Sequence, residues 1–316
     1  MGAVTTTQNQ PVTLARSRPG LAAALDTDTA PRAVVMTMGA LHQGHFDLVT
    51  EAARRVGADG TVVVTIFVNP LQFGAGEDLD AYPRTLEADV EGLTATLTGD
   101  DGTLRVGQLV VFAPTPEVIY PDGEPSVRLD PGPMATVLEG ATRPIHFAGV
   151  LQVVLTLMHL TQPRWALFGR KDAQQLAIVQ AMVRDLAVPV EIVPVDIRRE
   201  ESGLAMSSRN AYLSDAERGQ ALALSRALEA GRQAAAKGAD AAGVRHAALD
   251  LLTSAPGVEA DYVAAVDPAT FVDAAGAGPG LPGADAPVSS GEVLLALAAR
   301  VGSTRLIDNA LITLGA

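Results

Sequence analysis

The chain of 316 residues contains no cysteine. That excludes a disulfide framework, a thiolate zinc site and a cysteine nucleophile. Basic residues are scarce: 23 Lys and Arg against 36 Asp and Glu leave a formal net charge of −13. Phosphate-backbone binding is driven by clustered Lys and Arg, so nucleic acid is not an expected partner. No apolar run approaches the roughly 18 residues that a membrane-spanning helix needs, so no membrane role is expected. Only 5 histidines are present, scattered, and they form no His-rich metal tract. The start, MGAVTTTQNQ, lacks a charged segment followed by an apolar one. The expectation is a soluble, cytoplasmic globular protein.

Hydrophobic residues make up 48% of the chain. At about 100–200 residues per domain, the length predicts two domains. Residues 1–30 read as a loosely held start. Strands are predicted at Ala33–Thr37, Thr61–Val68, Leu109–Phe112, Trp165–Phe168 and Val190–Val195, the second apolar on both faces. Helices fit at Gly44–Val56, Leu86–Leu97, Val150–His159 and Asp172–Leu186. This alternation predicts an α/β domain with a Rossmann-like, doubly wound parallel sheet over residues 1–197. After Val195 the pattern changes. Ser214 and Glu217 form a capping box before an Ala-rich helix to about Ala236, and a second helix covers about Ala241–Leu252. Strand-like pieces at Asp261–Val266, Val293–Ala298 and Thr304–Asp308 complete a smaller α+β domain over 198–316. Residues 98–108 read as a surface loop and 273–287 as a flexible Gly/Pro/Ala interruption.

Four polar segments carry candidate chemistry. Met38-Gly39-Ala40-Leu41-His42-Gln43-Gly44-His45 follows a predicted strand and opens a helix. Backbone N–H groups and the positive helix end there suit an anion, and two imidazoles add donors. Asn69 and Gln72, in VNPLQFG, are amides at the exit of the next strand, able to bond a hydroxyl and a carboxylate. Locally Asn-Pro is equally a turn initiator. Gly169-Arg170-Lys171-Asp172-Ala173-Gln174-Gln175 puts a lysine where the helix dipole disfavours it, so phosphate, Asp172 or Asp185 should compensate. Met206-Ser207-Ser208-Arg209 offers hydroxyls and a guanidinium to a polyphosphate; taken alone it also reads as a Ser-rich hinge. Arg143 is a further anion candidate, His146 reads as structural, and Tyr82 as packing or covering the pocket. Asp89 is a candidate magnesium holder through water, the alternative being a solvated helix face. Met36, Met158 and Met182 read as core.

In this order, these segments resemble the pantoate–β-alanine ligase family from about Val34 to Leu213. The motifs are TMGALHQGH, IFVNPLQFGAGEDLDAYPRT, RPIHFAGV, FGRKDAQQL and GLAMSSRNAYL, with VGSTRLIDN agreeing more weakly. The resemblance implies a C-terminal lid domain, a homodimer and a Mg2+ requirement. It implies that pantoate and ATP give pantoyl adenylate and pyrophosphate, after which β-alanine gives pantothenate and AMP. Carried over by motif, Met38 to His45 line the ATP site, with His42 and His45 on the phosphates and His45 as the proton donor. Gln72 and Gln175 hold pantoate, with Asn69 and Arg143 as further substrate contacts. Gly169 to Asp172 contact ATP, with Lys171 on the phosphates, and Met206 to Arg209 contact adenine and triphosphate. Arg198 falls where the family contacts adenosine through its backbone. The departures are Thr37 for proline, Gln43 and Arg170 for glutamate, Ala173 for tyrosine, and a longer 98–108 loop. Two alternatives stay open: another adenylyl- or cytidylyltransferase, which should lack the paired Gln72 and Gln175, and a non-catalytic nucleotide-binding protein, which would have lost a phosphate contact.

Overall fold

A computed structural model of the chain describes residues 12–26, 30–74, 76–77, 79–276 and 286–315. In chain order the elements begin with β1 (Val12–Ala15), α1 (Arg18–Leu25), β2 (Arg32–Thr37), α2 (Gln43–Val56), β3 (Thr61–Ile66), α3 (Leu86–Leu97), β4 (Gln108–Phe112) and α4 (Pro116–Ile119). They continue with α5 (Glu139–Thr142), α6 (His146–Thr161), β5 (Trp165–Gly169), α7 (Ala173–Asp185) and β6 (Glu191–Val195). The last are α8 (Asp215–Ala236), α9 (Ala241–Ser254), β7 (Val258–Val266), β8 (Gly291–Val301) and β9 (Thr304–Leu314).

Contacts divide the chain into two units. The first holds the described residues up to Asp130, with Ile145–Phe168 and Val179–Val195; the second holds Pro131–Pro144, Gly169–Ile178 and the chain from Asp196. A division at 197/198 would leave 131–144 and 169–178 in the first domain, whereas their contacts group them with the second.

In the first unit the strands form a six-stranded parallel sheet in the order β1-β4-β3-β2-β5-β6. Strand order reverses at β2, with β3 on one side and β5 on the other, so the carboxyl end of β2 lies at a topological switch point. Alternate residues Ala33, Val35, Val62, Val64, Leu109 and Val111 bury one sheet face against α2 and α3. The intervening Val34, Val63 and Val110 are also fully buried, which is why these strands read as continuous apolar runs.

The loosely held start is a correction. From residue 12 on, β1 pairs in parallel with β4, Val12 against Leu109 through Ala15 against Phe112. Ser17 caps α1 by accepting from Gly20 N, and Leu21 and Leu25 are buried. Four strand residues are too short for a period to show, but the Ser-Arg-Pro cap was a readable helix signal. Residues 1–11 lie outside the described residues. The 98–108 loop is organised by an antiparallel bridge, Thr98 with Leu104.

The second unit carries an antiparallel sheet in the order β7-β8-β9. Leu224, Leu228, Val244 and Leu252 of α8 and α9 pack on Leu295, Leu297 and Ile312. The Ser214–Glu217 capping box is present, so α8 begins where expected. Of the 273–287 interruption, 277–285 lie outside the described residues, while Asp273 bridges Val266.

Candidate active site

In the first unit, the β2–α2 turn is built by its own residues. His42 is the N-cap of α2, and its Nδ1 accepts from Gly44 N at 3.2 Å. His45 Nδ1 accepts in turn from His42 N at 3.2 Å, and the two rings lie 4.1 Å apart. Each Nδ1 is thereby an acceptor, so a neutral ring must carry its proton on Nε2. The capping box fixes both tautomers and leaves both imidazoles as Nε2–H donors at a helix N-terminus, where anions are favoured.

The turn before it is held from outside. Gly39 and Ala40 both have positive φ, 87° and 50°, which aims successive N–H groups one way. Asp89 receives them: Oδ2 accepts from Ala40 N at 3.1 Å and Oδ1 from Leu41 N at 2.9 Å. Thr85 Oγ1 also donates to Asp89 Oδ1. At 3% exposure Asp89 is not a solvated helix face. Both of its oxygens accept hydrogen bonds from this segment and from Thr85. Its role is to brace the turn. Thr37, the departure from proline, joins this brace by donating to Thr65 O and accepting from Gly39 N.

Gln72 ends a 3-10 turn, Pro70–Gln72, opened by Asn69. Asn69 Oδ1 accepts from Leu71 N and from Tyr120 Oη, and Nδ2 donates to Gly149 O and to Gln72 Oε1. A backbone N–H can only donate and a carbonyl can only accept, so the Asn69 amide has one possible orientation. Gln72 then has its oxygen turned to Asn69 and its Nε2 turned toward Met38 Sδ, 3.1 Å away. Burial pushes the Tyr120 phenol well above its ordinary value, so the hydroxyl keeps its proton and donates. Asn69 is 1% exposed, and the four hydrogen bonds of its amide orient Gln72. His146 is buried with Nδ1 3.1 Å from Gln72 O and braces the same turn. Tyr82 is buried edge-on to Phe73. Met158 and Met182 are core, whereas Met36 is half-buried.

In the second unit, Arg170–Asp172 form a 3-10 turn leading into α7. Arg170 pairs with Asp196 at 3.1 Å, and Asp185 pairs with Arg184. Neither Asp172 nor Asp185 compensates Lys171, whose ammonium makes no ion pair among the described residues. The segment 198–206 is a narrow hairpin: Met206 N donates to Arg198 O, and Arg199 bridges Ala205. Arg198 itself is exposed. Ser207 Oγ then accepts from Arg209 N and caps the turn Ser208–Tyr212. Lys171, Ser207, Asn210 and Asp308 line one small cavity, and Asn210 Oδ1 is buried with no partner. Gln174 is buried and holds Glu139 N and the carbonyls of Met134 and Val137, while Gln175 is half-buried at the start of α7. Arg143 ends α5 and is half-buried. Ala173, the departure from tyrosine, packs against the cluster around Val137 and Ala177.

The sequence reading assigned nothing to Asp308 and Asn309. Asp308 forms a bidentate pair with Arg199 at 2.7 and 2.9 Å, and Asn309 bonds the carbonyls of Arg170 and Lys171. Their position inside VGSTRLIDN was the available signal.

Comparison with known proteins places the chain in a family. Residues 13–311 match the family described as pantoate-beta-alanine ligase. A pantothenate synthetase of Streptomyces coelicolor is 50% identical, covering 90% of this chain and 91% of its own. One from Mycolicibacterium smegmatis is also 50% identical, covering 91% and 83%. The crystal structure of pantothenate synthetase from Thermus thermophilus superposes with a TM-score of 0.81 at 41% identity, covering 94% of this chain and 98% of that one. A pantoate-beta-alanine ligase from Francisella tularensis, complexed with beta-gamma ATP and beta-alanine, gives 0.71 at 29%, covering 95% and 97%. The chain belongs to the pantoate-beta-alanine ligase family.

Proposed function

We propose that this chain joins pantoate to β-alanine with ATP through a pantoyl adenylate, releasing pyrophosphate and then AMP. The observation that carries the reading is the pair of histidines whose Nε2–H tautomers are fixed at the N-terminus of α2. A carboxylate attacking an α-phosphate brings like charges together, so fixed donors must neutralise the charge that develops. His42 and His45 supply such donors without reorganising, and Lys171, Ser207, Ser208 and Arg209 serve the same phosphates. Met38 to His45, Gly169 to Asp172, Arg198 and Met206 complete the ATP contacts. Gln72, turned to donate, holds the pantoate carboxylate and hydroxyls together with Gln175 and Arg143. Holding both reactants in line supplies much of the remaining rate enhancement.

A pantoate carboxylate oxygen bonds to the α-phosphorus as the bond to the pyrophosphate oxygen breaks. The neutral amine of β-alanine then attacks the acyl carbon, the carbon–oxygen bond to AMP breaks, and the amine loses a proton. AMP departs with the oxygen that pantoate brought. A magnesium ion accompanying ATP would take its ligands from the phosphates and water, and Asp89 would reach it only through such a water. The resemblance also supports a homodimer and a cytoplasmic location; among the described residues no helix is long and apolar enough to cross a membrane.

Pantoate carrying oxygen-18 in its carboxylate tests this. One label is expected in the phosphate of AMP and none in pyrophosphate. AMP free of label would overturn the adenylate route.

A further inference from the structure

Lys171 has a flexible stem, and its ammonium makes no ion pair among the described residues, so its aim depends on where its backbone is held. That backbone is held by one side chain. Asn309, on β9 and 6% exposed, donates from Nδ2 to Arg170 O at 3.0 Å and to Lys171 O at 2.8 Å. At a helix N-terminus it is the N–H groups that lack partners, whereas the carbonyls accept within the helix. The two bonds therefore satisfy nothing that α7 leaves open. They fix the turn against the strand. Asn309 is itself fixed, since its N–H donates to Asp308 Oδ1 at 2.8 Å, and Asp308 is locked by the bidentate pair with Arg199. The same Arg199 also donates to Gly203 O, inside the hairpin that leads to Ser207.

We propose that Asn309 is a positioning residue for the reaction, acting by holding the Arg170–Lys171 turn so that the Lys171 ammonium meets the phosphates. This rests on the reading that Lys171 contacts ATP. Misplacing a reacting group by about 1 Å costs on the order of 10²-fold in rate.

The test is a double-mutant cycle on the full chain, with Lys171→Met, Asn309→Leu and the pair, reading adenylate formation and thermal midpoints. Asn309→Leu is expected to lower kcat about 10- to 100-fold, to leave KM for β-alanine within about 2-fold, and to add nothing once Lys171 is replaced. A merely structural role would instead add its loss on the Lys171→Met background. If Lys171→Met keeps activity within about 3-fold, the phosphate reading of Lys171 fails and the proposal with it. If Lys171→Met is severely impaired while Asn309→Leu is not, or the two losses add, positioning by Asn309 fails and the Lys171 reading stands. Should the leucine variant not fold, Asn309→Asp, equal in size but without donors, replaces it in the same cycle under the same outcomes.

Discussion

Replacing His45 with alanine is expected to lower kcat/KM for adenylate formation by about 10²- to 10³-fold, equivalent to roughly 2.7–4 kcal/mol. The size of the effect separates two roles of this ring. His45 Nδ1 accepts from His42 N, a capping bond whose loss costs about 1 kcal/mol of stability. A loss of that size leaves a protein of ordinary stability folded and would scarcely change its activity. The remaining loss must come from the Nε2–H donor, which acts where charge develops on the phosphates. Thermal unfolding and steady-state kinetics on the same preparation separate the two: a small fall in midpoint with a large fall in kcat/KM is expected. A fall in kcat/KM no larger than the stability change accounts for would show that His45 is only a cap.

Gly149→Ala is expected to be the most damaging single-methyl change in the first unit. A Cβ at this position would collide with the carbonyl of Leu71 and lie 2.6 Å from Gln72 N. These are backbone atoms, which cannot rotate away as a side-chain end could. The turn must therefore move off α6, and the bond from Asn69 Nδ2 to Gly149 O opens with it. Overpacking of this kind costs about 1–3 kcal/mol. The consequence for function is selective, because Asn69 loses the acceptor that orients it and Gln72 loses its fixed Nε2. KM for pantoate should rise at least about 10-fold, as expected for a lost hydrogen bond to a charged group, with KM for ATP changing far less. Equal changes in the two constants would argue against a Gln72 site built by Asn69 and Gly149.

The legible and illegible parts of this molecule differ in a physical way. The strands β2, β3 and β4 were readable because both faces of the sheet are covered, so Val34 and Val35 are equally apolar requirements. The His42 cap was visible as a motif after a strand, and Ser214 with Glu217 as a capping box. Long-range polar partners were not visible. Nothing local to Asp89 announces that it accepts from Ala40 and Leu41, nearly 50 positions earlier. Glu139 is likewise joined to Arg305 by two hydrogen bonds and to Tyr262 by a third, across separations of 123–166 residues. Such pairs depend on tertiary placement, and a single sequence carries no period or spacing that reports it. The partners of Asn69 were invisible for the same reason: Gly149 and Tyr120, far along the chain, decide how its amide is turned.

The acidic balance also takes on a meaning. With a net charge of −13, the chain repels ATP and pantoate at long range, so binding falls to a few oriented donors. The claim that these donors activate pantoate as an acyl adenylate is tested most directly by isotope exchange between pyrophosphate and ATP, without β-alanine. Exchange that requires pantoate and saturates with it is expected. Folded protein that gives no exchange, or gives it equally without pantoate, would contradict the account.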